Sequence, residues 1–227
     1  MNAKLIALYL LDQVLGVAGA GVAMFWSAGR IDWWPAWAVI AVWLGWFAAM
    51  DVVLLRANPE LMAERLRPPR GAKAWDRAIM GTLRLTQLVR YVVAGLDLRY
   101  GWTHGFPPVA QIAALVVCVA SAALVTWAMA SNRFFSQIVR IQPERGHAVV
   151  TSGPYRFVRH PGNVGLILFD LGVSALLASW WALAAAGVCA VLLVLRTALE
   201  DRTLRAELSG YADYASHVRS RLLPGVW

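Results

Sequence analysis

Between two long apolar runs of this 227-residue chain lies a polar, basic stretch, residues 147–163, reading HAVVTSGPYRFVRHPGN. His147, Tyr155, Arg156, Arg159 and His160 fall within 14 residues and bring imidazole, phenol and guanidinium groups together. Gly153-Pro154 is a turn signal. Pro161 has a fixed φ and no N–H, so it suits the first turn of a following helix. His160 and the unpaired amides of that helix start would then face the membrane surface. A second polar cluster, residues 196–201, ends the last apolar run. Arg196 and Glu200 are spaced i, i+4 and share one helix face. They read either as a helix-end ion pair of about 0.3–0.5 kcal/mol or as a binding pair. In the second reading Arg196 holds an anionic substrate group and Glu200 takes something cationic or hydrogen-bonding. The two clusters are expected to meet in one site.

Several chemistries lose support. There is no HExxH metal spacing, no GxSxG elbow and no P-loop, which argues against hydrolases and nucleoside triphosphate enzymes. Gly16, Gly19 and Gly21 follow no strand and read as small residues for helix packing. Cys118 and Cys189 both lie inside apolar runs and read as small core residues, so neither a disulfide nor a metal site is expected.

The elements that must position these clusters are apolar helices. The chain is 59% hydrophobic and 15% charged, with a mean hydropathy of +0.56. Soluble domains carry about 25% charged residues, so this is the composition of a membrane protein. Twelve tryptophans suit two membrane interfaces. The net charge of +8 comes from 21 basic residues, of which only Lys4 and Lys73 are lysines. Positive-inside topology accounts for it more simply than nucleic-acid binding, for which no module is visible.

Apolar runs fall at 5–28, 33–55, 78–96, 107–130, 164–178 and 182–195. The first has no small-residue cleavage site and is retained as a helix. Residues 58–77, with Pro59, Pro68, Pro69 and Gly71, read as an irregular hydrophilic connector. The third run carries Arg84, which can snorkel, and the deeper Arg90, which would serve a lipid headgroup or an acidic partner. Gly210 is expected to stop the last helix. Basic residues number six in 56–77, five in 133–159 and five in 196–221, with Lys4 added, while the opposite loops hold Arg30 and Arg99. Six spans put every basic segment on one side, with both termini cytoplasmic. The expected fold is an all-α integral membrane protein of about six transmembrane helices; five plus a helical hairpin is the variant if the short fifth run does not cross. One membrane domain, 1–227, is expected, with four helices in 1–130 and a catalytic portion in 131–227.

The run Gly153-Pro154-Tyr155-Arg156-Phe157-Val158-Arg159-His160-Pro161-Gly162-Asn163 resembles the GPYxxVRHPxY signature of the isoprenylcysteine carboxyl methyltransferase family. That family is grouped with the phospholipid methyltransferases of membranes. Residues 196–204 are similar to its RxxxEExxL motif, and residues 210–227 to its closing segment. The resemblance is strongest over 132–227 and looser upstream, through Asn58-Pro59-Glu60, Trp75-Asp76-Arg77 and Gly95-Leu96-Asp97.

The resemblance implies S-adenosyl-L-methionine as methyl donor, leaving S-adenosyl-L-homocysteine, with no metal and no Rossmann sheet. By position it implies cofactor contacts from Gln142, His147, Ala148, Val149, Val150, Tyr155, His160, Pro161, Gly162, Asn163 and Glu200. Arg196 matches a substrate-binding arginine, and Arg196 with Glu200 forms the expected catalytic pair. Asn163 replaces the family's usual tyrosine, losing an aromatic wall or hydroxyl. Asp201 stands where a second glutamate is common. Carboxyl methylation fits the absence of a dedicated base, because an ionised carboxylate needs none. The implied partners are a lipophilic or lipidated substrate and the bilayer, with a prokaryotic inner membrane as the expected location. A phospholipid or small amine or thiol methyltransferase remains the alternative enzyme, and a non-catalytic scaffold or transporter the alternative of another class. Against a transporter, the polar groups gather at one face instead of lining a midplane path.

Overall fold

A computed structural model describes residues 3–65 and 71–227. Its long helices are α1 (Ala3–Ala28), α2 (Trp34–Ala57), α4 (Ala74–Tyr100), α5 (Pro108–Ser131), α6 (Pro161–Leu176) and α7 (Trp180–Glu207). Two helices of seven residues, α3 (Pro59–Arg65) and α8 (Tyr211–His217), lie beside the polar end. No strand occurs among the described residues. Four helices, α1, α2, α5 and α7, are long and apolar enough to cross a membrane. The fold is that of an all-α, multi-pass membrane protein. The 27-residue α4 has the length but carries Arg84, Arg90 and Asp97. The 16 residues of α6 rise about 24 Å, short of a hydrocarbon core of about 30 Å. α6 and α7 are joined by three residues as a hairpin. Ser179 caps α7, its hydroxyl accepting from Ala182 N at 3.0 Å.

α6 packs on α5 and α7, and α4 on α1 and α7. The α5–α6 approach is set by Gly165: a Cβ there would lie 2.5 Å from Val125 Cγ2 and 3.0 Å from the Ser121 carbonyl. Only a missing side chain lets two backbones come so near. By contrast, α1 turns Leu8, Leu11, Leu15, Val22 and Trp26 outward as a lipid-facing stripe. Arg90 is fully buried, donating from Nη1 to Asp170 Oδ1 of α6 at 2.8 Å and to the Asp170 carbonyl at 2.9 Å. Of the two expectations for Arg90, the acidic partner is the one realised.

One expectation needs correction. Residues 58–77 are not irregular throughout, because α3 forms within them. Asn58 Oδ1 accepts from Leu61 N at 3.2 Å, Pro59 takes the first helical position and Glu60 sits in the first turn, which together start a helix. Pro68 and Pro69 lie outside the described residues. The third apolar run also extends further than expected, from Ala74, because Asp76 is itself fully buried.

Candidate functional site

Residues 132–160 form a folded loop between α5 and α6, shaped by interior hydrogen bonds. Asn132 Oδ1 accepts from Phe134 N at 2.9 Å, and its Nδ2 donates to Tyr155 Oη at 3.2 Å. Gln142 is fully buried; its Nε2 donates to the Phe134 carbonyl at 2.8 Å, and its Oε1 accepts from Arg145 Nη1 at 2.6 Å. The His147 ring lies 4.7 Å from that of Phe134, and its Nδ1 accepts from Gln142 N at 3.3 Å. Burial, then the charges of Arg145 and Arg140, hold His147 below the usual histidine range. It is therefore a neutral imidazole at pH 7.

This loop meets the end of α7 around a cavity with about 790 Å³ of space free of atoms, part of it open to solvent. His147, Ala148, Val149, Val150, Tyr155, His160, Gly162, Asn163, Arg196 and Glu200 all line it. The two polar clusters thus converge on one cavity. Pro161 is at the first position of α6, outside the lining. Gln142 is also outside it, in the wall, where both ends of its amide are used by the loop.

Arg196 makes the expected i, i+4 ion pair with Glu200, and two further contacts anchor its guanidinium. Its Nε donates to Asp76 Oδ1 on α4 at 2.9 Å, and its Nη2 to the Gln137 carbonyl at 3.2 Å. Glu200 Oε2 is 3.6 Å from Arg196 Nη1 and 3.8 Å from His160 Nδ1. Among the described residues Glu200 accepts no hydrogen bond, so its carboxylate stays open to a ligand. Nη1 of Arg196, likewise without a hydrogen-bond partner, also faces this space. Asp76 fixes the guanidinium, and also accepts from Val139 N at 2.7 Å. The sequence signal for it was only its place in Trp75-Asp76-Arg77, a weak part of the resemblance.

Behind the cavity, Asp201 gathers the tail. It takes Arg159 at 2.7 and 3.2 Å, Arg205 and Arg221 at 3.1 Å each, and the Tyr211 hydroxyl at 3.0 Å. Arg159 Nη1 also donates to the carbonyls of Val218 and Arg219 at 2.7 and 2.6 Å. Tyr214 donates to the Tyr155 carbonyl at 2.7 Å. Burial pushes Tyr155 and Tyr211 well above the usual phenol range and Tyr214 up to about 12. All three are neutral hydrogen-bonding groups in the wall at pH 7.

Asn163 donates from Nδ2 to Thr197 Oγ1 at 2.9 Å, stitching α6 to α7. An aromatic surface comes from Phe134 and Phe135, which sequence reasoning did not single out. The Phe135 ring lies over Gly162, where a Cβ would approach Phe135 Cε2 to 2.7 Å. Periodicity offers no signal for it, because the contact depends on how the loop folds back on α6.

Residues 113–206 match the model of the isoprenylcysteine carboxyl methyltransferase (ICMT) family. "Probable protein-S-isoprenylcysteine O-methyltransferase" of Oryza sativa subsp. indica is 36% identical over 47 residues, 21% of this chain and 25% of the rice protein. Protein-S-isoprenylcysteine O-methyltransferase A of Arabidopsis thaliana is 28% identical over 93 residues, 41% of this chain and 43% of that protein. The chain thus aligns with less than half the length of these curated relatives. The matched segment runs from α5 to the end of α7 and so contains the loop, α6, Arg196 and Glu200.

Proposed function

We propose that this chain, an ICMT-family sequence over residues 113–206, is a membrane methyltransferase that uses S-adenosyl-L-methionine to esterify the carboxylate of a lipophilic acceptor of the isoprenylcysteine type. The observation that carries the reading is the open Glu200 carboxylate between Arg196 and His160 in a cavity with aromatic side chains in its wall. That donor set fits a cationic nucleoside sulfonium: Glu200 accepts from hydroxyl or ammonium groups, and ring faces attract positive charge. Bound there, the cofactor would supply an electrophilic methyl group, lost to the acceptor as the sulfonium becomes a neutral thioether.

The residues contribute position more than proton transfer. Arg196, braced by Asp76, offers Nη1 to an acceptor carboxylate and holds one oxygen toward the methyl group. An ionised carboxylate needs no base, which suits a cavity whose two imidazoles are engaged in its wall, His147 Nδ1 with Gln142 N and His160 Nε2 with Tyr211 Oη at 3.3 Å. Apolar helices around the site let a lipophilic tail arrive from the bilayer, while the polar mouth faces the side of the basic loops. By the positive-inside rule that side, with both termini, is cytoplasmic.

Calorimetric titration of S-adenosyl-L-homocysteine into the purified protein tests the reading, beside Glu200→Gln and His160→Ala. Binding that both substitutions weaken supports it. A folded protein that binds none of the compound overturns it.

A further inference from the structure

Three guanidinium groups meet on the buried carboxylate of Asp201, and their charges do not balance. Arg159 alone neutralises it, with Nε 2.7 Å from Oδ1 and Nη2 3.2 Å from Oδ2. Arg205 and Arg221 add two more cations, each donating Nε to the same Oδ2 at 3.1 Å. Like charges side by side on one oxygen repel each other. Their Nη groups have no hydrogen-bond partner among the described residues, and the two side chains are 44% and 30% exposed. Arg202, three residues before Arg205 on the same face of α7, is exposed and has no acidic partner among the described residues. The other acids of this segment, Glu207 and Asp213, face Lys73 and His217. The surplus guanidinium groups are therefore open to an external anion.

The depth of the pair locates that anion. Trp180 and Trp181, exposed at the start of α7, mark one membrane interface. From Trp180 to Arg205 the helix rises about 37 Å. The hydrocarbon core is about 30 Å thick, and the headgroup layers bring the bilayer to about 40–45 Å. Arg205 stands among the headgroups of the opposite leaflet, and a helix tilt of about 20° keeps it there. Apolar groups lie beside it. The Trp227 ring is 4.7 Å from Arg221 Cζ, and Leu223 and Val226 are exposed in the same tail. The Trp227 carbonyl accepts from Arg221 N and Leu222 N at 2.8 and 3.0 Å, which folds the tail into a compact turn. Free cations next to bare apolar side chains match a lipid, which carries phosphate and acyl chains together; a free anion matches the cations alone.

We propose that Arg205 and Arg221 hold the phosphodiester of an anionic phospholipid, with Leu223, Val226 and Trp227 against its acyl chains. Planar guanidinium forks fit phosphate oxygens in pairs. The surplus of positive charge favours a headgroup of net negative charge over a zwitterion. The bound lipid ties α7 to the tail. The Ser220 and Arg221 carbonyls accept from Arg159 N and His160 N at 3.0 Å each, so the same tie steadies the His160 side of the cavity. The lipid site stands whether or not the cavity transfers methyl groups.

The test is native mass spectrometry of the full chain in detergent, titrated with dioleoylphosphatidylglycerol and with dioleoylphosphatidylcholine, beside Arg205→Gln and Arg56→Gln. Arg56 is an exposed arginine in the last turn of α2 and controls for general attraction to basic segments. The wild type should bind phosphatidylglycerol about tenfold more tightly than phosphatidylcholine. Arg205→Gln should remove that preference and Arg56→Gln should keep it. Inorganic phosphate in large excess should not displace the lipid. Phosphatidylglycerol should also raise the thermal midpoint of the wild type above its value in phosphatidylcholine, a readout that needs no variant. Equal binding of the two lipids, equal effects of the two substitutions, an unchanged midpoint or displacement by inorganic phosphate each overturns the proposal.

Discussion

Glu200 and Asp201 are consecutive acids on α7, and the fold gives them opposite tasks. The Asp201 side chain is 1% exposed and receives three guanidinium groups and a tyrosine hydroxyl. The Glu200 side chain is 25% exposed and receives no hydrogen bond among the described residues. A helix turns about 100° per residue, so neighbours look in different directions. One looks back at the loop and tail, the other into the cavity. The difference teaches that a charge in this membrane protein is committed either to architecture or to an open cavity, and that its remaining hydrogen-bonding capacity tells which.

The largest effect expected from that comparison is on stability. Asp201→Ala leaves Arg159 buried without its carboxylate, a loss of about 3–5 kcal/mol. Thermal unfolding in detergent should show it, and an unchanged midpoint would remove Asp201 from the role of hub. Glu200→Gln should leave the midpoint nearly unchanged and weaken S-adenosyl-L-homocysteine binding about 10- to 100-fold, the range for hydrogen bonds to a charged group. If the two substitutions exchange phenotypes, the division between neighbours is wrong.

Asp76→Asn sharpens the comparison on α4. Its shape is kept but its charge on Arg196 is lost, so acceptor KM should rise about tenfold while cofactor affinity holds. A fall in cofactor affinity of equal size would place Asp76 in the cofactor wall instead. The smallest effect concerns His147. Its folded value lies below the ordinary 6.5, so below pH 6.5 the unfolded chain holds more protons and stability falls with pH. The stabilising contribution is complete above 6.5. His147→Phe should flatten this part of a stability–pH profile, and an unaltered slope would contradict a buried neutral imidazole.

Much of the fold was legible because hydropathy and charge are summed along the chain. Runs of about 20 apolar residues, proline at the start of α6 and basic loops on alternate connections need no tertiary knowledge. The meeting of residues 147–163 with 196–201 was also readable, since both clusters bound apolar runs ending on one side. The motif resemblance to the family was found again by the match over residues 113–206.

The sequence by itself determined the helical membrane fold, the residues available for chemistry and the family they resemble. The tertiary structure decided which of those residues remain open. Arg196 finds Asp76, 120 residues away, Phe135 folds over Gly162, and Gln142 turns into the wall. Local spacing reports only neighbours one helical turn apart, whereas long-range partners depend on how α4, α7 and the 132–160 loop pack. Those contacts consume some polar groups and leave others, Glu200 first, free to bind.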